Sequence, residues 1–292
     1  MRLLGPIALA VFVCGISGTA QTDERAAKVL ADARRALGGE ERLSAVKSLS
    51  TTGRTRRVQG DNLVPIEFEM LIELPDKYLR RDEIPAQESD PTTIGFNGEG
   101  LVQIPPAAPP APRPGMPAPP PGMFENMLKA RALTARQDFA RLMLGLFATS
   151  YKAYPLTFRY VGQAEAPQGK AHVLEATGEA NFTLKFFVDM QTNLPIMVSW
   201  SAPARPAGGR GAPPASAPAH SASAPAPPAS VPAPAAQAAE HRLYFADYRD
   251  VDGLKLPFRL RRGLGAETTE ETTFDRFRVN PKIDPRRFEV RK

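Results

Sequence analysis

The chain is poor in the residues from which most catalytic centres are built. It has one cysteine in 292 residues, and that residue, Cys14, lies in the apolar N-terminal stretch. The remainder holds no disulfide framework, no thiolate zinc site and no cysteine nucleophile. Val13 and Phe12 precede Cys14, where a lipidated cysteine is preceded by a small residue, so lipidation there is not expected. There are three histidines, His172, His220 and His241, with no carboxylates at a spacing that would complete a metal site. The sequence shows no Gly-x-Ser-x-Gly elbow, no Walker loop and no Gly-x-Gly-x-x-Gly helix start. No cofactor, no metal and no enzymatic activity is expected.

Long apolar runs are also missing, except at the N-terminus. Arg2 is followed by an apolar segment from Leu3 to Ile16, then by Gly18-Thr19-Ala20. The run is shorter than the roughly 20 residues a spanning helix needs, and it ends in small residues suited to cleavage before Gln21. Residues 1–20 therefore read as a secretory signal peptide, and residues 21–292 as an exported, periplasmic chain. The net charge is +6 and the pI is near 9.5. For an exported protein this suggests anionic membrane surface rather than nucleic acid, or simple solubility.

Proline is abundant, but most of the 31 prolines fall in two tracts, 105–122 and 202–239, the latter almost entirely Ala, Pro, Ser and Gly. Proline fixes φ and lacks a donor, so neither tract can join a sheet ladder. Both are expected to be disordered insertions within one β-rich domain, because strand signals continue on either side of them.

The pattern elsewhere is regular. Ala26, Val29, Leu30, Ala33 and Leu37 form a helical stripe ended by Gly38-Gly39, and a short helix is expected over 40–46. Strands are predicted over 48–59, 64–74 and 77–82. A hairpin over 92–104 follows, turning at Asn97-Gly98. Further strands are predicted over 156–162, 171–178, 181–189, 194–201, 240–248, 254–262 and 267–278. Within 64–74, Ile66, Phe68, Met70 and Ile72 share one face, and Glu67, Glu69 and Glu73 share the other. Glu67 and Glu69 would stand roughly 7 Å apart, a spacing that glycosidase carboxyls also use. With one tryptophan in the chain and no aromatic cleft in the pattern, a solvated outer face is the expected role of these acids. Alternating arginines, among them Arg54, Arg56, Arg57, Arg80, Arg259, Arg261 and Arg262, are expected to keep a sheet face wet. Phe124, Leu128, Ala135, Phe139, Leu142, Met143 and Leu146 recur at helical spacing in a mid-chain helix over 124–148, either packed on the sheet or movable as a lid. The fold class is thus α+β and β-rich, an antiparallel meander with an N-terminal and a mid-chain helix.

Local steps add a family resemblance. Glu73-Leu74-Pro75-Asp76-Lys77-Tyr78-Leu79-Arg80, Phe187-Val188-Asp189 through Thr192-Asn193-Leu194-Pro195, Asp252-Gly253-Leu254-Lys255-Leu256-Pro257 and Asn280 through Phe288 resemble the strand and turn pattern of the outer-membrane lipoprotein-sorting carriers, the LolA-like group. The resemblance covers most of the chain outside the Pro tracts. It implies an incomplete β-barrel closed on one side by helices, with an apolar cavity for lipid or lipoprotein acyl chains. Ile66, Phe68, Met70, Ile72, Leu184, Phe186 and Val188 would line the sheet. Phe139, Leu142, Met143 and Leu146 would close over it as a lid. The two Pro tracts are departures from the family pattern, and several arginines compete for the position of its inward-facing arginine. Similar domains also act as envelope sensors that bind protein partners, so an envelope sensor or partner-binding module is the alternative. A third possibility is a structural envelope protein tethered through its N-terminal segment.

Overall fold

The computed structural model describes residues 17–87, 89–109, 120–166, 169–201 and 240–289, with side chains from Asp23 onward. The expected signal segment is represented only by its last residues, and tract 202–239 lies wholly outside the described residues, as does the middle of tract 105–122.

Twelve strands form one antiparallel sheet. β1 (Ser48–Gln59), β2 (Asn62–Glu73), β3 (Lys77–Glu83), β4 (Thr92–Asn97) and β5 (Gly100–Ile104) make a meander on one side. β6 (Thr157–Ala166), β7 (Gly169–Thr177), β8 (Thr183–Asp189), β9 (Pro195–Ser201), β10 (Glu240–Val251), β11 (Leu254–Leu264) and β12 (Glu267–Val279) make a second. The two meanders join where β1 pairs with β12, with Leu49 opposite Val279 and Arg57 opposite Glu270. β5 and β6 are the two ends of the strand order, so the sheet is not closed into a barrel. The chain between them forms α3 (Met123–Phe147), while α1 (Ser17–Ala36) and α2 (Glu40–Ala45) precede the sheet.

Turn chemistry explains the register. β10 and β11 are linked by Asp252-Gly253, both at positive φ, which is the two-residue turn that matches strand twist. Between β8 and β9 the Asp189 carboxylate accepts from the backbone N–H groups of Gln191 and Thr192 at 3.1 and 2.6 Å and from the Thr192 hydroxyl at 2.7 Å. Such side-chain bonds substitute for a backbone turn.

The inner face of the sheet and the helices share one core. Ala26, Val29, Ala33 and Leu37 of α1 are buried in it, as is the whole run from Phe139 to Phe147 of α3. Each large side chain taken fully out of water contributes about 1.5–3 kcal/mol. A smaller cluster sits on the outer face, where Leu71 and Leu79 are covered by Phe288 from the single turn Pro285–Phe288. Leu71 thus departs from the simple alternation of β2, because the C-terminal turn gives its outward face something to pack against.

A candidate ligand groove beneath the mid-chain helix

α3 crosses the open side of the sheet, and its two halves differ. The C-terminal half is buried all round and fixed from several directions. The Tyr248 hydroxyl lies 3.0 Å from the Gly145 carbonyl and 2.9 Å from that of Pro195, and with one proton it donates to one of them at a time. Arg34 of α1 donates to the Phe147 carbonyl at 2.9 Å. The N-terminal half is held by exposed or half-exposed side-chain pairs. Arg136 bridges Glu99 of the β4–β5 turn at 2.6 Å and Glu179 of the β7–β8 turn at 3.8 Å, and Arg131 donates to Gln103 of β5 at 3.1 Å.

Beneath this half lies an open groove of about 530 Å³, walled on the helix side by Met127, Arg131, Thr134 and Asp138 and on the sheet side by Arg57, Tyr78, Arg80, Ile94, Arg262 and Glu270. It leads to a small pocket of about 40 Å³ floored by Met70, Leu142, Leu243 and Leu260. The two share Tyr78, Arg80, Asp138, Arg262 and Glu270, so a polar collar separates the outer groove from an apolar floor.

The collar is a network of paired charges. Arg80 donates to Asp82 at 2.6 Å and to the Thr55 hydroxyl at 3.0 Å, and it stands 4.0 Å from Glu270. Thr55 is in turn bonded to Thr272 at 2.8 Å. The Arg80 guanidinium lies 4.5 Å from the centre of the Phe68 ring. Burial opposes its charge, but Asp82, Tyr78 and Glu270 outweigh burial and hold it protonated more firmly than a free arginine. Arg57 bonds Glu270 at 3.3 Å. Asp138 of α3 meets Arg141 at 2.9 Å and Arg262 of β11 at 3.8 Å, which ties the helix to the sheet. Arg141 itself lies between the rings of Phe182 and Trp200, at 4.8 and 4.3 Å. Its burial lowers its pKa, and its Nε has no hydrogen-bond partner among the described residues. The Tyr78 phenol is pushed up to about 12 by burial and stays neutral.

The residues that sequence reasoning placed around the cavity are all buried. Phe68, Met70 and Ile72 of β2, Leu184, Phe186 and Val188 of β8, and Phe139, Leu142, Met143 and Leu146 of α3 belong to one continuous core, and Ile66 is buried outside it. Met70 and Leu142 border the pocket; neither the groove nor the pocket is lined by the rest. The free space lies instead beside the arginines. Of the strand arginines expected to keep a sheet face wet, Arg57, Arg80 and Arg262 line the inner groove. Their signal was in the alternation: Arg57 has the same parity on β1 as the buried Thr51 and Thr55, so its side chain turns inward. Glu67, Glu69 and Glu73 lie on the outer face, where Glu69 pairs with Arg287 at 2.6 Å and Glu73 with Lys77 at 2.5 Å.

Among the described residues, no three His, Cys, Asp or Glu side chains are grouped so as to hold a metal ion, and no helix is long and apolar enough to cross a membrane. No protein-family profile and no curated protein matches the chain. Solved structures do. A LolA superfamily protein from Nitrosomonas europaea is similar over 90% of this chain and 97% of its own, at 11% identity and a TM-score of 0.50. A DUF1329 family protein from Desulfovibrio piger matches at 9% identity and a TM-score of 0.47, covering 92% of this chain and 97% of its own. A domain described as an outer membrane lipoprotein-sorting protein, from Vibrio parahaemolyticus, matches at 9% identity and 0.46, over 90% and 97% of the two chains. The twelve-stranded open sheet with its two long helices is a LolA-like fold.

Proposed function

We propose that this chain is a periplasmic carrier that shelters an acyl chain, from lipid or from an acylated lipoprotein, between α3 and the concave face of the sheet, with no chemical catalysis. The observation that carries the reading is the asymmetry of α3. Its C-terminal half is locked into the core, whereas its N-terminal half rests on side-chain pairs above a groove that leads to an apolar floor. Exposed ion pairs contribute only about 0–1 kcal/mol each, so lifting this half costs mainly the re-exposure of the small buried side chains Ala132 and Ala135 and of Leu133. Lifting it would uncover Met70, Leu142, Leu243 and Leu260, and an acyl chain entering there gains about 0.8 kcal/mol per methylene buried. Phe68, Phe139 and Phe186 would line the deeper path. Arg57, Arg80 and Arg262 would stand at the mouth, where an anionic headgroup is accommodated. Export fits the N-terminal sequence, with residues 1–20 removed and the rest working as one domain bearing two insertions.

The alternative is an envelope sensor or partner-binding module of the same fold. It is favoured by the completeness of the core, since Phe96, Phe147, Phe186, Leu184 and Val188 are buried by the chain's own side chains to 1% exposure or less. Native mass spectrometry of the protein released gently from the periplasm separates the two. A carrier brings co-purifying phospholipid or acylated peptide that is lost in Thr134→Trp, a substitution in the groove wall that buries no charge. A ligand-free mass that takes up no lipid when challenged leaves the partner-binding module.

A further inference from the structure

The convex face of the sheet carries an apolar row that the helices do not cover. Phe187 of β8 stands opposite Met197 of β9, Met197 opposite Tyr244 of β10, and Tyr244 opposite Arg261 of β11. These side chains have the opposite parity to Phe186, Val198 and Leu243, which are in the core, so they project outward. With strands about 4.8 Å apart, the row runs for roughly 15 Å across the strands. It forms the base of a trough of about 690 Å³, to which Ile196 and the small side chains Ala164 and Ala171 of the β6–β7 hairpin also contribute. That volume lies within the range of small-molecule sites, about 300–1,000 Å³.

The two ends of the trough differ in charge. At one end Arg259 and Arg261 alternate on β11, both exposed. The Arg261 guanidinium lies 4.4 Å from the centre of the Tyr244 ring. Glu271 is its cross-strand neighbour, yet no ion pair forms between them, and among the described residues neither arginine has a carboxylate within ion-pair distance. At the other end the Asp189 carboxylate is already engaged by the N–H groups of its own turn. The trough therefore offers an apolar path ending in two guanidinium groups outside any ion pair among the described residues, with Glu271 in the same lining and Asp247 within electrostatic reach of Arg259.

From this row and its charge we infer that the convex trough is a second binding site, for a single-chain amphiphile with an anionic head. The head is held by Arg259 and Arg261, and the tail lies along Tyr244, Met197 and Phe187. Guanidinium groups bind carboxylate or phosphate oxygens through paired N–H donors, and the row is long enough for a tail of medium length. The site is on the opposite side of the sheet from the groove under α3, and it does not depend on the carrier reading.

The test is calorimetric titration of the full purified chain with decyl phosphate, and separately with decyltrimethylammonium, both below their micellar concentrations. Thr134→Trp, which fills the groove under α3, is compared with the same chain carrying in addition either Arg259→Glu with Arg261→Glu or Ala246→Trp, the latter at an exposed position in the trough wall. Far-UV circular dichroism and melting curves establish that each is folded. With the groove under α3 filled by Thr134→Trp, the expected result is stoichiometric binding of decyl phosphate that falls at least tenfold when the two arginines or Ala246 are also substituted. The chain with both arginines substituted should also gain affinity for the cationic probe. The inference is overturned if decyl phosphate does not bind. It is equally overturned if, in the Thr134→Trp background, binding is absent or survives the double arginine substitution.

Discussion

Gly145 of α3 lies directly against the ring of Phe245 on β10: a Cβ at position 145 would stand 2.0 Å from the ring. No side chain larger than hydrogen fits while the helix keeps its place. In an exposed helix interior, alanine in place of glycine stabilises by about 1 kcal/mol. Here the sign should reverse. Gly145→Ala should destabilise by about 1–3 kcal/mol, as overpacking of a filled core does, and a melting temperature at or above that of the parent would show that α3 is not seated as described.

Arg136 joins α3 to two hairpin turns that lie towards opposite edges of the sheet, through Glu99 and Glu179. Glu99 and Glu179 are exposed, so the ion pairs themselves contribute less than about 1 kcal/mol, while the Arg136 side chain is only 12% exposed and Arg136→Ala also loses the packing of its stem. The substitution should quicken amide exchange in residues 123–138 and leave residues 139–147 protected, because the latter are held by the core. Hydrogen exchange read by mass spectrometry checks this, and uniform protection along α3 would count against two separately anchored halves.

Arg80 is the hub of the polar collar, with Asp82, Thr55 and Glu270 around it. Removing it leaves carboxylates facing a partly buried site without their counter-charge, which costs about 3 kcal/mol when a buried pair is broken. Arg80→Ala should therefore lower the urea midpoint markedly. Arg80→Met with Asp82→Leu should recover part of the loss, since removing both charges leaves fewer unpaired groups. A double variant no better than the single one would show that the pair is not the source of the effect.

Acid should weaken the junction of α1 and α2. Glu40 accepts from Arg34 at 2.5 and 2.7 Å and from Ser44 at 2.9 Å, and the Arg34 bonds, followed by that of Ser44, lower its pKa from 4.5 to about 2. A carboxylate whose folded pKa is depressed stabilises the fold above its unfolded pKa and loses that contribution as pH falls through the folded one. The stability difference between the parent and Glu40→Gln should thus be constant above about pH 5 and shrink between pH 4.5 and 2. Denaturation curves across that range are the check, and a difference independent of pH would remove Glu40 from the account. Arg34 also donates to the Phe147 carbonyl, so this junction bears on the fixed end of α3.

The order and spacing of the elements were legible because strand alternation and turn residues are local signals. β1 and β5 fall where the pattern of 48–59 and 100–104 placed them, and α3, at Met123–Phe147, is displaced by one residue from 124–148. The open edge between β5 and β6 is also visible in the sequence, as a helix interrupting a run of strands. Less legible was where the free space lies. Periodicity shows which face of β2 and α3 is apolar, but not whether the facing side chains of β8 meet them. Here all three belong to one continuous core, and the space falls under Met127 and Thr134 instead. The trough on the convex face was hidden for a related reason: it needs Phe187, Met197 and Tyr244 to align across three strands, and that register depends on a bulge near Val188 that no local pattern announces. The minor core at Leu71 and Phe288 likewise depends on a contact between distant parts of the chain.

Carriage of an acyl chain requires α3 to open at its N-terminal half. It is tested most directly by native mass spectrometry of the gently isolated protein, comparing the parent, Arg136→Ala and Thr134→Trp after exposure to phospholipid. A carrier holds a bound lipid in the parent, takes it up faster in Arg136→Ala and holds none in Thr134→Trp, with all three folded. A parent that stays ligand-free under the same challenge, or a Thr134→Trp variant that binds as well as the parent, would contradict it.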